Sequence, residues 1–314
     1  MPWDEQIKRR LKLRDLDMLI AVAEAGSMGK AAERLGTFQP NISKAILDLE
    51  HTLGVRLLDR GSQGVTPTPY AVALIARSRA AFNELKQGVR DIENLADPNA
   101  GELHIAASEA IIAGIFPAVI DSLSRQYPKF IFHVRQVFTD LPEYRALRER
   151  EVEFIVGRIP RLEAEDDLRV DTLFADPLLI SAGATNRWTH RRSINLAELL
   201  DEPWVVAPPD QYIGSLHAGL FRSNGLEPPR NAVVCASLHM NDALLATGRY
   251  LAIYSSSRIQ LAAKRLSIKI LPVKLVPQSS RIGIVTLKNR TISPMAELFF
   301  QRMREVVGSL ARLK

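Results

Sequence analysis

The chain has 314 residues, 46% of them hydrophobic and 24% charged, with a formal net charge of +6, a mix that suits two or three globular domains. Its best apolar run, Ala110 to Ile120, is eleven residues broken by Gly114 and Pro117, too short to span a bilayer, and the opening MPWDEQIKRR lacks the apolar centre of a signal peptide. The single cysteine, Cys235, excludes an intrachain disulfide and argues for a reducing compartment, so a soluble cytoplasmic protein is expected.

Charge alone does not locate a nucleic-acid surface, because residues 1–66 hold ten basic and nine acidic side chains. Placement is more informative. Leu13, Leu16, Leu19, Ile20 and Ala23 recur at helical spacing and predict a first helix ending near Gly26. Ser27 is placed to cap a second helix, in which Ala31 and Ala32 are small enough to let another helix approach. Gly36 takes the left-handed position after it. Thr37 is placed to cap a third helix, with Pro40 in its first turn and Ile42, Ala45, Ile46 and Leu49 as its inward stripe. Helices joined by so tight a turn cross steeply, as in a helix-turn-helix. Gln39, Asn41 and Lys44 point outward near the start of the third helix, with Ser43 at the edge. Amides can pair with adenine, lysine with guanine or phosphate, and hydroxyls with phosphate. A solvated face on an ordinary helical hairpin has the same periodicity.

The next stretch, LGVRLLDRGSQGVTPTP, contains two short β-prone pieces, Val55–Leu58 and Val65–Thr68, around a Gly-Ser-Gln-Gly turn. This predicts a β-wing from which Arg56, Arg60 and Gln63 reach the flanking backbone or minor groove. For Arg60, a surface arginine that only steadies the turn is the plainer alternative.

These residues resemble the LysR-type transcriptional regulators. The resemblance is carried by Ser27, Ala31-Ala32-Glu33-Arg34-Leu35, Gln39-Pro40-Asn41-Ile42-Ser43-Lys44, Leu49-Glu50, Leu53-Gly54-Val55, Leu57-Leu58-Asp59-Arg60 and Gly64-Val65. It implies DNA contacts from Ser27, Gln39, Pro40, Asn41, Ser43, Lys44, Arg56, Arg60 and Gln63. The implied fold is α/β, with an N-terminal winged helix-turn-helix, a long linker helix, and a two-lobed effector domain like a periplasmic binding protein. The corresponding ranges are 1–69, 70–98 and 101–314, with lobe I at about 101–176 and 277–314 and lobe II at about 177–276. Leu47 and Asp48 stand where the family often has basic residues late in the third helix.

From Ala71 to Ala96 a heptad fits through Ile75, Ser78, Phe82, Leu85, Val89 and Ile92, in steps of four and three. A helix lying on its own domain would show the same stripe. The family resemblance favours a dimer seam of Ile75, Phe82, Leu85, Val89 and Ile92. It further implies homodimers assembled into homotetramers, and leaves RNA polymerase as a further partner.

After Gly101 strands and helices alternate. GELHIAAS, FIFHVRQVF and VEFIVGR read as strands, with helices between them, which predicts a parallel sheet. Strands at Asp176–Ala182, Trp204–Ala207, Val233–Cys235 and Leu251–Tyr254, with a helix at Asn241–Thr247, form a second lobe. RIGIVTLKNR and a helix at Pro294–Val307 return to the first. Ser108 and Thr139 each fall between a strand end and the next helix, where a hydroxyl can cap the helix or meet a ligand. The resemblance implies that both contact a small effector in the interlobe cleft. From the second lobe Pro208, Pro209, Ser237 and His239 are looser candidates, and a cap or surface histidine is the plainer alternative for His239.

Enzyme signatures are absent: there is no Gly-x-Ser-x-Gly elbow, no phosphate loop and no His-Glu-x-x-His. Cys235 and His239 are four apart, but two ligands make a poor metal site, so neither cofactor nor metal is expected. The reading is a sequence-specific, effector-responsive regulator that binds double-stranded DNA. Two alternatives stay open: a small-molecule binding protein or enzyme whose helix-turn-helix engages protein, and an architectural DNA-binding protein.

Overall fold

The computed structural model describes residues 10–61, 64–96, 100–137, 144–159, 165–260, 267–276 and 281–311. It divides into two units: residues 1–89 with 148–151, and residues 90–147 with 152–314.

In the first unit α1 (Leu13–Ala25), α2 (Met28–Arg34) and α3 (Gln39–Leu53) bury their apolar stripes together. Leu19, Val22, Ala31, Ile42, Ile46 and Leu49 are all essentially inaccessible in one core. Each large aliphatic residue there contributes roughly 1.5–3 kcal/mol. The third helix starts differently from expectation. Its N-cap is Phe38 and not Thr37, and no side chain caps it. The Thr37 hydroxyl instead accepts from Asn41 Nδ2 at 3.2 Å.

The wing strands β1 (Leu58–Gly61) and β2 (Gly64–Pro67) pair antiparallel. The first begins three residues later than the expected Val55. The reason is Glu50, whose carboxylate accepts the Leu57 and Leu58 N–H groups at 2.8 and 3.2 Å. The chain leaving α3 is therefore held on the helix until Leu58. Gly64 has φ +121°, and a β-carbon there would sit 2.7 Å from the Gly26 carbonyl oxygen. Val65 N–H donates to that same oxygen at 2.9 Å, so the wing is fastened to the α1–α2 turn where only glycine fits.

Helix α4 runs from Pro69 to Ala96. Its early seam positions are used internally: Ile75 is buried in the winged-helix core and Phe82 packs against it. Ile75 is therefore not an open seam residue. Leu85, Val89 and Ile92 are 53%, 57% and 69% exposed.

The second unit holds two five-stranded sheets. Lobe I has β3 (Ala100–Ala107), β4 (Lys129–Gln136), β5 (Phe154–Arg158), β6 (Leu168–Ala175) and, much later in the chain, β12 (Arg281–Leu287). The order is β4-β3-β5-β12-β6. The first three strands are parallel, as the alternation predicts, while β12 runs antiparallel between β5 and β6. Strand β6 lies outside the sequence expectation: LRVDTLFA alternates too little to announce a sheet edge. The helix following β3 breaks at Gly114 into α5 (Glu109–Ala113) and α6 (Ile115–Gln126). Phe116 of α6 and Phe299 of α10 (Pro294–Ala311) meet edge-on at 5.1 Å over the sheet, with α7 (Arg145–Arg148) earlier in the chain.

Lobe II orders β11-β7-β10-β8-β9, from β7 (Leu178–Gly183), β8 (Trp204–Val206), β9 (Ala232–Val234), β10 (Leu251–Ser255) and β11 (Ile268–Ile270). Its helices are α8 (Tyr212–Ser223) and α9 (Leu238–Ala246). Trp204, wholly buried, donates Nε1–H to the Leu199 carbonyl at 2.8 Å and meets Phe221 edge-on.

Candidate DNA face and effector cleft

On the first unit Gln39, Pro40, Asn41 and Lys44 are exposed along the first turns of α3, and Ser43 is half-buried. Gly29 lies between two of the candidates: both Gln39 Oε1 and Ser27 Oγ stand 3.7 Å from where its β-carbon would be. The start of α2 and the start of α3 thus share one polar patch. Ser27 is the N-cap residue of α2, yet its hydroxyl makes no capping bond. Arg56 and Arg60 are exposed beside and on the wing, and Gln63 lies outside the described residues. Phe38, 77% exposed at the N-cap of α3, is missed by the sequence reading. With the cap expected at Thr37, Phe38 falls inside the first turn and nothing in the sequence singles it out.

The second unit has a solvent-connected cleft lined by residues of both lobes. Lobe I contributes Ser108, Glu109, Gln136 and Arg158; lobe II contributes Gln211, His217, Asn241, Tyr254 and Arg258 among others. Of the expected effector residues, Ser108 lines the cleft and makes no side-chain cap of α5. Thr139 lies outside the described residues. Pro208, Pro209, Ser237 and His239 are not in the cleft lining. Pro208 turns its carbonyl toward Gly214 of α8, where any β-carbon would collide. Ser237 caps α9 by accepting from Met240 N–H, and His239 is exposed on that helix.

The histidine in the cleft is His217. It sits on the inner face of α8 with Gly214 and Phe221, at the helical spacing that a charge-blind reading assigns to core. Its Nδ1 accepts the Ala207 N–H at 3.3 Å, which places the proton on Nε2 and leaves that atom a donor. Burial, reinforced by the Arg158 charge, lowers its pKa from 6.5 to about 3. The unfolded chain therefore binds a proton that the native chain refuses between these values. Stability from this group is complete above about pH 6.5 and falls as pH drops toward 3. Thermal melts of His217→Asn across that window should show a shallower acid limb than the native chain; an identical limb would refute a neutral buried imidazole.

Arg158 closes the wholly buried strand β5. Its Nη1 donates to the Asp176 carbonyl at 2.8 Å and its Nη2 approaches Asp176 Oδ2 at 3.4 Å. Burial lowers its pKa and the Asp176 charge opposes the shift. Asp176 also accepts Ser257 N–H at 2.8 Å and the Ser257 hydroxyl at 2.7 Å. It therefore joins the end of β5 to the first crossover between the sheets, where Asp176 itself lies, and to the lobe II segment that follows β10. Deeper in lobe II, Arg258 Nη2 reaches both Asp242 oxygens at 2.5 Å while lying 4.8 Å over the Tyr254 ring. The Tyr254 hydroxyl donates to Asp242 at 2.7 Å; burial and this bond push its pKa up. Two buried atoms of the lining make no hydrogen bond, Arg258 Nε and Asn241 Oδ1. Across the cleft, both Glu109 carboxylate oxygens stand 3.1 Å from Leu238 N–H, so lobe I supplies an anion to the amino end of α9.

Residues 13–72 match the family described as bacterial regulatory helix-turn-helix protein, lysR family, and residues 96–308 match the LysR substrate binding domain. The chain is 27% identical over 299 residues to the HTH-type transcriptional regulator GbpR of Azospirillum brasilense, covering 95% of this chain and 87% of that protein. It is 24% identical to the uncharacterized regulator YdcI of Escherichia coli over 97% of this chain and 99% of the other. Among solved structures, the LysR family regulator CbnR superposes with a TM-score of 0.68 at 22% identity, over 94% of this chain and 99% of that one. A full-length OxyR of Pseudomonas aeruginosa, bearing a cysteine-to-aspartate substitution, gives 0.64 at 21% identity, over 94% and 95%. No helix among the described residues is long and apolar enough to cross a membrane. With a family helix-turn-helix at one end and the family's effector domain filling most of the rest, the chain belongs to the LysR-type regulators and is a DNA-binding transcriptional regulator that responds to an effector.

Proposed function

We propose that this regulator reads its operator with Gln39, Asn41 and Lys44 at the start of α3, and senses a carboxylate-bearing small molecule in the interlobe cleft. In this reading Ser27, Pro40 and Ser43 set the approach of α3 to the phosphates, and Arg56, Arg60 and Gln63 hold the flanking backbone. Phe38 meets a thymine methyl beside the amide contacts. The observation that carries the effector reading is convergence: Arg158, His217 with its proton on Nε2, and Ser108 all line one cleft. Those three are donors suited to an anion. Glu109, already at the α9 amino end, is a bridge between the lobes that a ligand in the cleft would strengthen or weaken.

The test is fluorescence-anisotropy binding to DNA from upstream of the protein's own gene, against a scrambled duplex, repeated with a panel of organic acids and their amides. A preference of roughly a thousandfold or more, shifted by an acid and not by its amide, supports the reading. Equal weak binding to both duplexes would favour an architectural protein.

A dimer places two recognition helices on two half-sites. We assign pairing to the exposed end of the heptad, Leu85 and Val89. Leu85→Asp should sediment as a monomer and lose specific DNA affinity while keeping its native circular-dichroism spectrum; an intact dimer would refute the assignment.

A further inference from the structure

Strands β3 and β4 are parallel neighbours, with His104 directly opposite His133 in register. Alternation along β3 puts Glu102 on the same side of the sheet as His104. The two imidazoles stack at 4.0 Å with an interplanar angle of 8°. Glu102 Oε2 lies 3.3 Å from His104 Nε2 and 3.4 Å from His133 Nε2. The three ligand atoms all fall within 4.8 Å of one another. Bonds of ~2.1 Å at tetrahedral angles put neighbouring ligand atoms ~3.4 Å apart, so two of the three separations already match a zinc-type coordination edge.

We propose that Glu102, His104 and His133 form a binding site for one divalent transition-metal cation of the zinc class, on the face of the lobe I sheet. The donor set, two imidazoles and one carboxylate, matches the borderline character of such an ion and is poor for calcium or magnesium, which need more oxygens. The side chains of Glu102, His104 and His133 are 36%, 25% and 47% exposed, so the remaining coordination position opens to water. Backbone register holds opposed residues on adjacent strands at one spacing before any ion arrives, and the stacked rings tilt apart when both Nε2 lone pairs turn onto one ion. The spacing on the chain conceals the site, because Glu102 and His104 are two residues apart and His133 belongs to another strand. It is separate from Cys235 and His239, the pair that spacing alone brings to mind.

Strand β3 runs from His104 into Ser108, and β4 ends at Gln136, both in the cleft lining. An ion joining β3 to the sheet-edge strand β4 would stiffen the two strands that carry these residues. The site does not depend on the identity of the effector.

Isothermal titration of the tag-free full-length protein, stripped with chelator, with zinc chloride tests the proposal. One equivalent should bind, and magnesium chloride should show no saturable heat. Cobalt(II) in place of zinc should develop the visible absorption of a four-coordinate nitrogen-oxygen site. His133→Gln, at the most exposed of the three positions, should lower zinc affinity by roughly tenfold or more, and His104→Gln likewise. A melting curve of each metal-free variant identifies any that fails to fold, and His133→Gln alone then decides. Absence of saturable zinc uptake, or uptake unchanged in a folded His133→Gln protein, would overturn the site.

Discussion

Replacing Gln39 and Asn41 together with alanine should abolish the distinction between operator and scrambled DNA while leaving the fold intact. Both side chains are exposed, and the helix beneath them is held by Ile42, Ile46 and Leu49, which the substitutions do not touch. Each bidentate amide–adenine pair discriminates by about 1–3 kcal/mol, so two such pairs amount to a loss of roughly 30-fold to 20,000-fold in specific affinity. Non-specific binding should change little, because it depends on phosphate contacts. Lys44→Ala is the contrasting variant. If lysine holds phosphate, both duplexes should weaken together and the salt slope should fall by about one unit. If it reads guanine, only the operator should weaken. The measurement is anisotropy at two salt concentrations. Unchanged discrimination in the double variant would remove α3 from the reading of sequence.

Asp176→Ala should be the most damaging single change in the effector domain. Arg158 and Asp176 side chains are 7% and 2% exposed, and Asp176 also holds Ser257 through its N–H and hydroxyl. Removing the carboxylate takes the Asp176 charge away from a buried guanidinium, and breaking such a pair typically costs about 3–5 kcal/mol. For a unit of this size that corresponds to a fall of roughly 6–20 °C in melting temperature. Asp176→Asn should fall between the two, since it keeps an acceptor for Ser257 and loses the charge. The double variant Asp176→Leu with Arg158→Met should recover much of the loss, because an apolar pair needs no desolvation of charge. Calorimetry of all four proteins checks this. A double variant as unstable as Asp176→Ala would show that hydrogen bonds to Ser257, not charge, hold the crossover. The recovered protein should nonetheless respond poorly to effector, since Arg158 borders the cleft.

The helix-turn-helix is legible from residue order because its information is local. The α1–α3 stripes, the glycine stops and the outward Gln39 and Asn41 depend on periodicity within one or two turns. The first three parallel strands are legible for the same reason. Errors gather where a distant residue decides the outcome. The start of β1 depends on the Glu50 carboxylate holding Leu57 and Leu58, and the partial loss of the seam depends on Ile75 packing into the winged-helix core. The edge strand β6 depends on β12, more than a hundred residues later.

The cleft divides along the same line. Ser108 is visible as a hydroxyl at a strand end. Arg158 is a charge closing an otherwise apolar strand, a signal that the reading of VEFIVGR as a strand passes over. His217 has the spacing of a core residue, and Ser237 and His239 have the look of ligands until α9 uses one as a cap and exposes the other. Sequence by itself determined the family, the types of most elements and the polar side chains that α3 presents, because these follow from short-range spacing and side-chain type. Tertiary structure alone decided which groups are desolvated and which meet. It buried His217 until it stays neutral, and it set Asp176 against Arg158 and Ser257. Strand register placed His133 opposite His104. Burial and register are properties of chain segments that are far apart in sequence and adjacent only after folding.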